Sequence, residues 1–144
     1  MSTVHKAMAF DYGTKKIGIA VGQSITRTAS PLSVLPATDG VPDWDILEKL
    51  VREWRPSVLI VGMPFNMDGS ENEMTVQAQK FSRRLQGRFN IPCYTMDERL
   101  SSHAAKDIRK QQAAESGKKY NDREIIDSLA AQLILENWFA TNID

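Results

Sequence analysis

The sequence has a single cysteine, no surplus of either charge and no long apolar run, and each shortage excludes a class of protein. Cys93 alone cannot close an intramolecular disulfide, and with two histidines there is no Cys/His cluster of the kind that holds zinc. No apolar stretch approaches the roughly 20 residues that cross a bilayer, so no membrane partner is expected. The opening Met1-Ser2-Thr3-Val4-His5-Lys6 lacks the apolar core, about 7–15 residues long, of a secretory signal. Together these shortages predict a reducing, cytoplasmic setting. The 18 Lys and Arg are offset by 18 Asp and Glu. A grip on nucleic acid would therefore need a local basic patch, or acids offset by bound metal. Internal repeats, low-complexity tracts and long Pro/Gly/Ser linkers are also missing. What remains is an ordinary globular composition, 144 residues with 42% apolar and 25% charged. A chain of this length buries roughly 70% of its unfolded surface, enough for one true core.

The apolar pattern begins with period two. Ala7 to Tyr12 reads as a strand, Gly13-Thr14-Lys15-Lys16 as a turn, and Ile17 to Gly22 as a second strand with small residues on one side. A third strand is expected near Pro31–Leu35. The period then becomes helical: Trp44, Leu47, Leu50, Val51 and Trp54 predict a helix closed by Pro56. Val58 to Gly62 is a short continuous apolar run, as in a buried parallel strand. Met74, Ala78, Phe81 and Leu85 mark a second helix, and Ile91 to Met96 another strand leading into Asp97-Glu98-Arg99. A helix is expected from Ser101 or Ser102 to about Gln112, then a loop over 116–121, then a last helix from about Asp122 to Ala140. This order predicts one α/β domain: a mixed sheet, an antiparallel three-strand meander plus two parallel strands, with helices on both faces. Trp44, Trp54 and Phe81 are expected in the core.

Three acidic positions stand out. On a helical wheel at about 100° per residue, Asp127 lies in the middle of the arc containing Ala130, Ala131, Ile134 and Trp138, with Gln132 and Glu136 on the far side. A carboxylate on an apolar face must be neutral, paired with a cation or bound to a metal. The competing structural reading pairs it with the helix N-terminus or with a Lys or Arg. Asp11 closes an apolar strand just before a glycine turn. Asp97 and Glu98 end another strand, and since successive strand residues point to opposite faces, only one of them can join Asp11. Three converging carboxylates would repel one another unless they bind a hard divalent cation. A pair of such ions about 4 Å apart can activate water and stabilise the leaving oxygen of a phosphodiester.

Four blocks then resemble one family in their order. They are Ala9 to Gly22, Ile60-Val61-Gly62-Met63-Pro64 with Asn66-Met67-Asp68-Gly69, Asp97-Glu98-Arg99-Leu100-Ser101, and Asp127-Ser128-Leu129-Ala130-Ala131. In these the chain is similar to the YqgF (RuvX) family. The resemblance implies one ribonuclease-H-like domain over residues 1–144, related to the RuvC Holliday-junction resolvases. It implies a bacterial cytoplasmic nuclease that matures the 5′ end of pre-16S ribosomal RNA on the assembling ribosomal particle, with branched DNA as the alternative substrate. By matching motif, Asp11, Glu98 and Asp127 would be the catalytic acids and the ligands of Mg²⁺ or Mn²⁺. Two segments depart from the pattern. Ser102-His103-Ala104-Ala105 stands where relatives commonly carry Thr and then Glu before the Ala, and Asp122-Arg123-Glu124 stands where many are Lys-rich.

Phosphate contacts are expected from Lys15 and Lys16 in the first turn, Arg99 beside the acids, and Lys106, Arg109, Lys110, Lys118, Lys119 and Arg123 before Asp127. His103 is expected as an exposed residue at a helix start. Two other readings compete. Asp11-Tyr12-Gly13-Thr14 also looks like the phosphate loop of actin and sugar kinases, but those bind ATP between two such domains and this chain has the length of one. A non-catalytic, RNA-binding assembly factor would carry the same acids without turnover.

Overall fold

The computed structural model describes residues 6–97 and 122–142, with the side chains of 122–128 and 142 outside that description. The elements, in chain order, are β1 (Lys6–Asp11), β2 (Lys16–Gln23), β3 (Thr28–Thr38), β4 (Val41–Pro42), α1 (Trp44–Trp54), β5 (Val58–Met63), α2 (Glu73–Phe89), β6 (Cys93–Asp97) and α3 (Asp122–Asn142). The expected helix after Ser101 and the loop over 116–121 lie outside the described residues.

The strands form one mixed sheet in the order β4-β3-β2-β1-β5-β6. β1, β2, β3 and β4 are antiparallel in succession, while β1, β5 and β6 run parallel. β3 is longer than the expected segment because its prolines sit where a ladder tolerates them. Beyond it only two residues of β4 pair, and the register slips at Ile19/Ala20, whose partners are Ser33 and Pro31. Proline is excluded from central strands by its missing N–H, but not from such an edge.

The first two helices are bounded by chemistry visible in the sequence. Asp43 caps α1 by accepting from the backbone N–H of Asp45 at 3.0 Å and of Ile46 at 3.4 Å, and Arg55 ends it in a left-handed conformation before Pro56. Asn72 and Thr75 cap α2 reciprocally, and Asn90 closes it.

Alternation along the strands sorts the core into two layers. Met8, Phe10, Ile17, Ile19, Leu59, Val61 and Met63 pack under α1 and α2 with Leu47, Val51, Phe81 and Leu85. Phe10 meets Phe81 edge-on at 5.7 Å, and Phe81 stacks on Trp44 at 6.1 Å. On the other face, Ala7, Ala9, Ala29, Val58, Ile60 and Met96 pack under α3 with Ile134, Leu135, Trp138 and Phe139. This second face is floored by small residues, so α3 lies close across β1, β2, β3 and β5. Gly22 marks the closest approach: a Cβ there would stand 3.0 Å from both Leu135 and Phe139 and 2.3 Å from the Thr28 carbonyl oxygen.

Two expectations fail. Gln132 is buried rather than on the solvent side of α3, because the curled β3 edge covers that flank. Its Nε2 donates to the Ala29 carbonyl and to Glu136, both at 3.0 Å. Trp54, expected in the core, is 39% exposed at the end of α1.

Two outcomes test this packing. Gly22→Ala should lower stability by about 2 kcal/mol, since overpacking a tight contact typically costs 1–3, read from the urea midpoint. Burial pushes the Cys93 thiol up from 9.0 to about 11, with a Ser82 hydrogen bond pulling weakly the other way. At about pH 8 the native chain should therefore alkylate about a hundredfold more slowly than the unfolded chain. The same shift makes stability fall as pH rises from about 9 toward 11.

Candidate active site

The three parallel strands bring their carboxyl ends to one edge of the sheet. Phe10 of β1 is level with Val61 of β5, and Met63 of β5 with Asp97 of β6. Asp11, the last residue of β1, is half-buried at this edge. In the alternation it follows Ala7 and Ala9, so it belongs to the face covered by α3. Its partner across the β1–β2 ladder is Gly18, which adds no side chain beside the carboxylate.

The backbone just after Asp11 is fixed from several sides. Tyr12 turns back under the other layer, where it packs on Phe81 at 5.0 Å, and its hydroxyl donates to the Gly40 carbonyl at 3.0 Å. Gly40 donates its own N–H to the Thr14 carbonyl at 2.8 Å, and Ala37 donates to Lys15 at 2.8 Å. Gly40 has φ +81°, and a Cβ there would collide with the Tyr12 hydroxyl. The β3–β4 turn thus clamps the β1–β2 turn. Nothing in the sequence pointed to this latch except the Asp39-Gly40 pair, a turn signal.

Between Asp11 and the end of β6 stands the loop that follows β5. The Pro64 carbonyl accepts from Asn72 Nδ2 at 3.0 Å and from Thr75 Oγ1 at 2.8 Å, tying the loop to the first turn of α2. Asn72 Nδ2 also donates to Asn66 Oδ1 at 2.9 Å, and Asn66 Nδ2 to Ser70 Oγ at 3.0 Å. The Asn66-Met67-Asp68-Gly69 block is therefore a built loop with Met67 at its exposed tip.

Asp97 belongs to the opposite face from Asp11. Along β6, Cys93 packs with the α1/α2 layer, whereas Tyr94 meets Trp138 at 6.0 Å and Met96 is buried under α3. Thr95 and Asp97 therefore share the side of Cys93. Glu98, Arg99, Lys106, Arg109, Lys110, Lys118 and Lys119 lie outside the described residues, as does His103. Arg123 and Asp127 are in the backbone of α3 with their side chains outside the description. Among the described residues no group of three or more His, Cys, Asp or Glu gathers. Lys15 is exposed in the turn after Asp11, and Lys16 is half-buried at the start of β2. Both lie on the carboxyl-end edge of β1, where a polyanion bound at Asp11 would pass.

Tyr12→Phe should lower stability by about 1 kcal/mol, the usual net worth of one hydrogen bond, read by urea unfolding. Burial raises the Tyr12 phenol above its ordinary 10.0, with Arg84 opposing the shift. Native stability should therefore fall as pH rises past about 10, and the variant should lack that component.

Comparisons with known proteins place the family and the fold. The family model described as "RuvX: Holliday junction resolvase" matches residues 5–141. A protein of Pseudomonas aeruginosa (strain LESB58), named "Putative pre-16S rRNA nuclease", is 52% identical over 137 residues, covering 95% of this chain and 93% of its own length. One from Azotobacter vinelandii bearing the same name is 50% identical over 140 residues, covering 97% and 96%. Among solved structures, Thermus thermophilus RuvC in complex with a Holliday junction superposes with a TM-score of 0.57 at 17% identity, over 97% of this chain and 96% of that one. The fowlpox virus resolvase bound to junction DNA gives 0.51 at 13% identity, over 96% and 99%. The mixed sheet with its flanking helices is thus the ribonuclease-H-like fold of the RuvC-type resolvases.

Proposed function

The chain belongs to the RuvX family, and from that premise we propose that it is a divalent-metal-dependent nuclease that processes the 5′ end of pre-16S ribosomal RNA. As a nuclease it hydrolyses phosphodiester bonds. The observation that carries the reading is Asp11, a half-buried carboxylate at the carboxyl ends of three parallel strands, on the face beneath α3.

Asp11 fits a hard cation, which takes carboxylate oxygens in preference to sulfur or imidazole. Two more acids complete the proposed set. Asp97 is excluded from Asp11's face, and the family motif offers Glu98 in its place. On α3, Ala131, Ile134 and Trp138 are buried, and Asp127 stands one turn before Ala131 on the same arc, which supports it as the third. Asp11, Glu98 and Asp127 would hold Mg²⁺ or Mn²⁺. Held by these acids, such ions would supply water activation and Lewis-acid stabilisation of the leaving oxygen. The residues do the rest. Asp11 orients the site, and the clamped turn holds the Asp11 carboxylate in place. Lys15 and Lys16, with Arg99, Lys106, Arg109, Lys110, Lys118, Lys119 and Arg123, contact phosphates and fix the register of the substrate. The setting is the cytoplasm, with the assembling ribosomal particle as partner.

The test offers the purified chain precursor rRNA, single-stranded RNA and a four-way DNA junction, each with Mg²⁺, Mn²⁺ or EDTA. Cleavage of the precursor should require the metal. Asp11→Asn should reduce it on the order of a thousandfold, the scale of several kcal/mol of lost charge stabilisation, with the urea midpoint unchanged or raised by relief of carboxylate repulsion. Preference for the four-way junction would reassign the substrate to branched DNA. Binding without cleavage in any metal would leave an assembly factor.

A further inference from the structure

A second feature lies at the other end of β1. Lys6, Ala7, Val21, Gly22, Gln23, Thr26, Thr28, Ser30, Trp54 and Pro56 enclose a cleft of about 440 Å³. That volume is in the usual range for small-ligand sites. It sits between the β2–β3 turn and the end of α1, roughly 17 Å from Asp11 along β1 at about 3.3 Å per residue.

The lining has a definite chemistry. Trp54 is 39% exposed, and no other aromatic ring among the described residues stacks on it. Lys6 brings an ammonium, Gln23 an amide, and Thr26, Thr28 and Ser30 hydroxyls, with no carboxylate among the described residues of the wall. Arg27 lies between Thr26 and Thr28 in the chain, and Arg55 between Trp54 and Pro56. Neither arginine lines the cleft, so Lys6 is the cation in its wall, and no ion pair to Lys6 forms among the described residues. Both arginines hold left-handed backbone, φ 53° and 47°. Glycine or asparagine would hold such turns more cheaply; the guanidinium is what arginine adds. A flat aromatic plate, the Lys6 ammonium and short hydrogen-bonding side chains together match a nucleobase with its phosphate.

We propose that this cleft seats a nucleotide of a single-stranded nucleic acid, its base on Trp54 and its phosphate against Lys6, remote from the cut. The inference rests on the nucleic-acid reading above, and adds to it an anchoring site on the opposite edge of the sheet. It gives a chain of zero net charge a local grip away from its own acids.

The test is binding without cleavage. The full chain in EDTA is titrated with short uridine and thymidine oligonucleotides, read by tryptophan emission and by affinity at several salt concentrations. Quenching is expected with either oligonucleotide. Trp54→Leu should weaken binding about tenfold and abolish the quench. Trp54→Phe should retain most of the affinity. Lys6→Gln should weaken binding severalfold and lower the salt slope by about 0.7, one phosphate contact's share on a single strand. Trp54 is exposed, so the variants should keep the parental urea midpoint; if Trp54→Leu does not, Trp54→Phe and Lys6→Gln decide. Parental affinity in both would overturn the inference while leaving metal-dependent cleavage intact. Conversely, the quench without cleavage of any substrate would sink the nuclease reading and leave the cleft.

Discussion

The two-residue alternation of β1 is the constraint from which the rest of the molecule follows. Met8 and Phe10 fill one layer of the core, so Ala7, Ala9 and Asp11 must face the other. Because that second row is small, α3 can lie close on it; because its last member is a carboxylate, the apolar face ends in charge. A slip of one residue would bury Asp11 beneath Phe81 and put Phe10 at the sheet edge. The Tyr12–Gly40 latch and the Phe10–Phe81 contact oppose that slip on the α1/α2 side, and the Gly22 contact with Leu135 and Phe139 opposes it on the other.

The parallel half of the sheet turns this local rule into a shared edge. Chain ends of β1, β5 and β6 coincide because all three run the same way, which the helical crossovers between them require. The loops leaving that edge therefore cluster near Asp11. One of them, after β5, is held by the hydrogen bonds of Asn66, Asn72 and Thr75, so the chain's own side chains fix the wall beside the acid.

Much of this was legible in the sequence. The period of two in Ala7–Tyr12 and Ile17–Gly22, and the period of 3.6 in Trp44–Trp54 and Met74–Leu85, give the elements because one-sided burial writes itself into spacing. Asp11 was legible as a carboxylate ending an apolar strand. Other features were not, for physical reasons. Gln132 is polar yet buried because a neighbouring strand edge supplies a carbonyl, a tertiary partner that no wheel contains. Trp54 shares the spacing of a core residue, but α1 ends there and Arg55 turns the chain away. β3 hid behind Pro31 and Pro36, which look like breaks until its edge position makes them tolerable. The latch pairs residues 28 apart in the chain, and only the fold brings them together.

Charge distribution links the two ends of β1. The proposed site of acids would repel the polyanion it acts on, and the neutral total of this chain offers no long-range attraction to offset that repulsion. Cations beside the acids help position a phosphate, but their fields also cancel against the carboxylates within a Debye length of about 8 Å at physiological salt. The Lys6 ammonium, roughly 17 Å away along the strand, with no carboxylate among the described residues of its wall, escapes that cancellation. An aromatic plate there adds attraction that salt does not screen. On the proposed reading, a chain with 18 charges of each sign acts on nucleic acid by holding it at one edge of the sheet and reacting with it at the other.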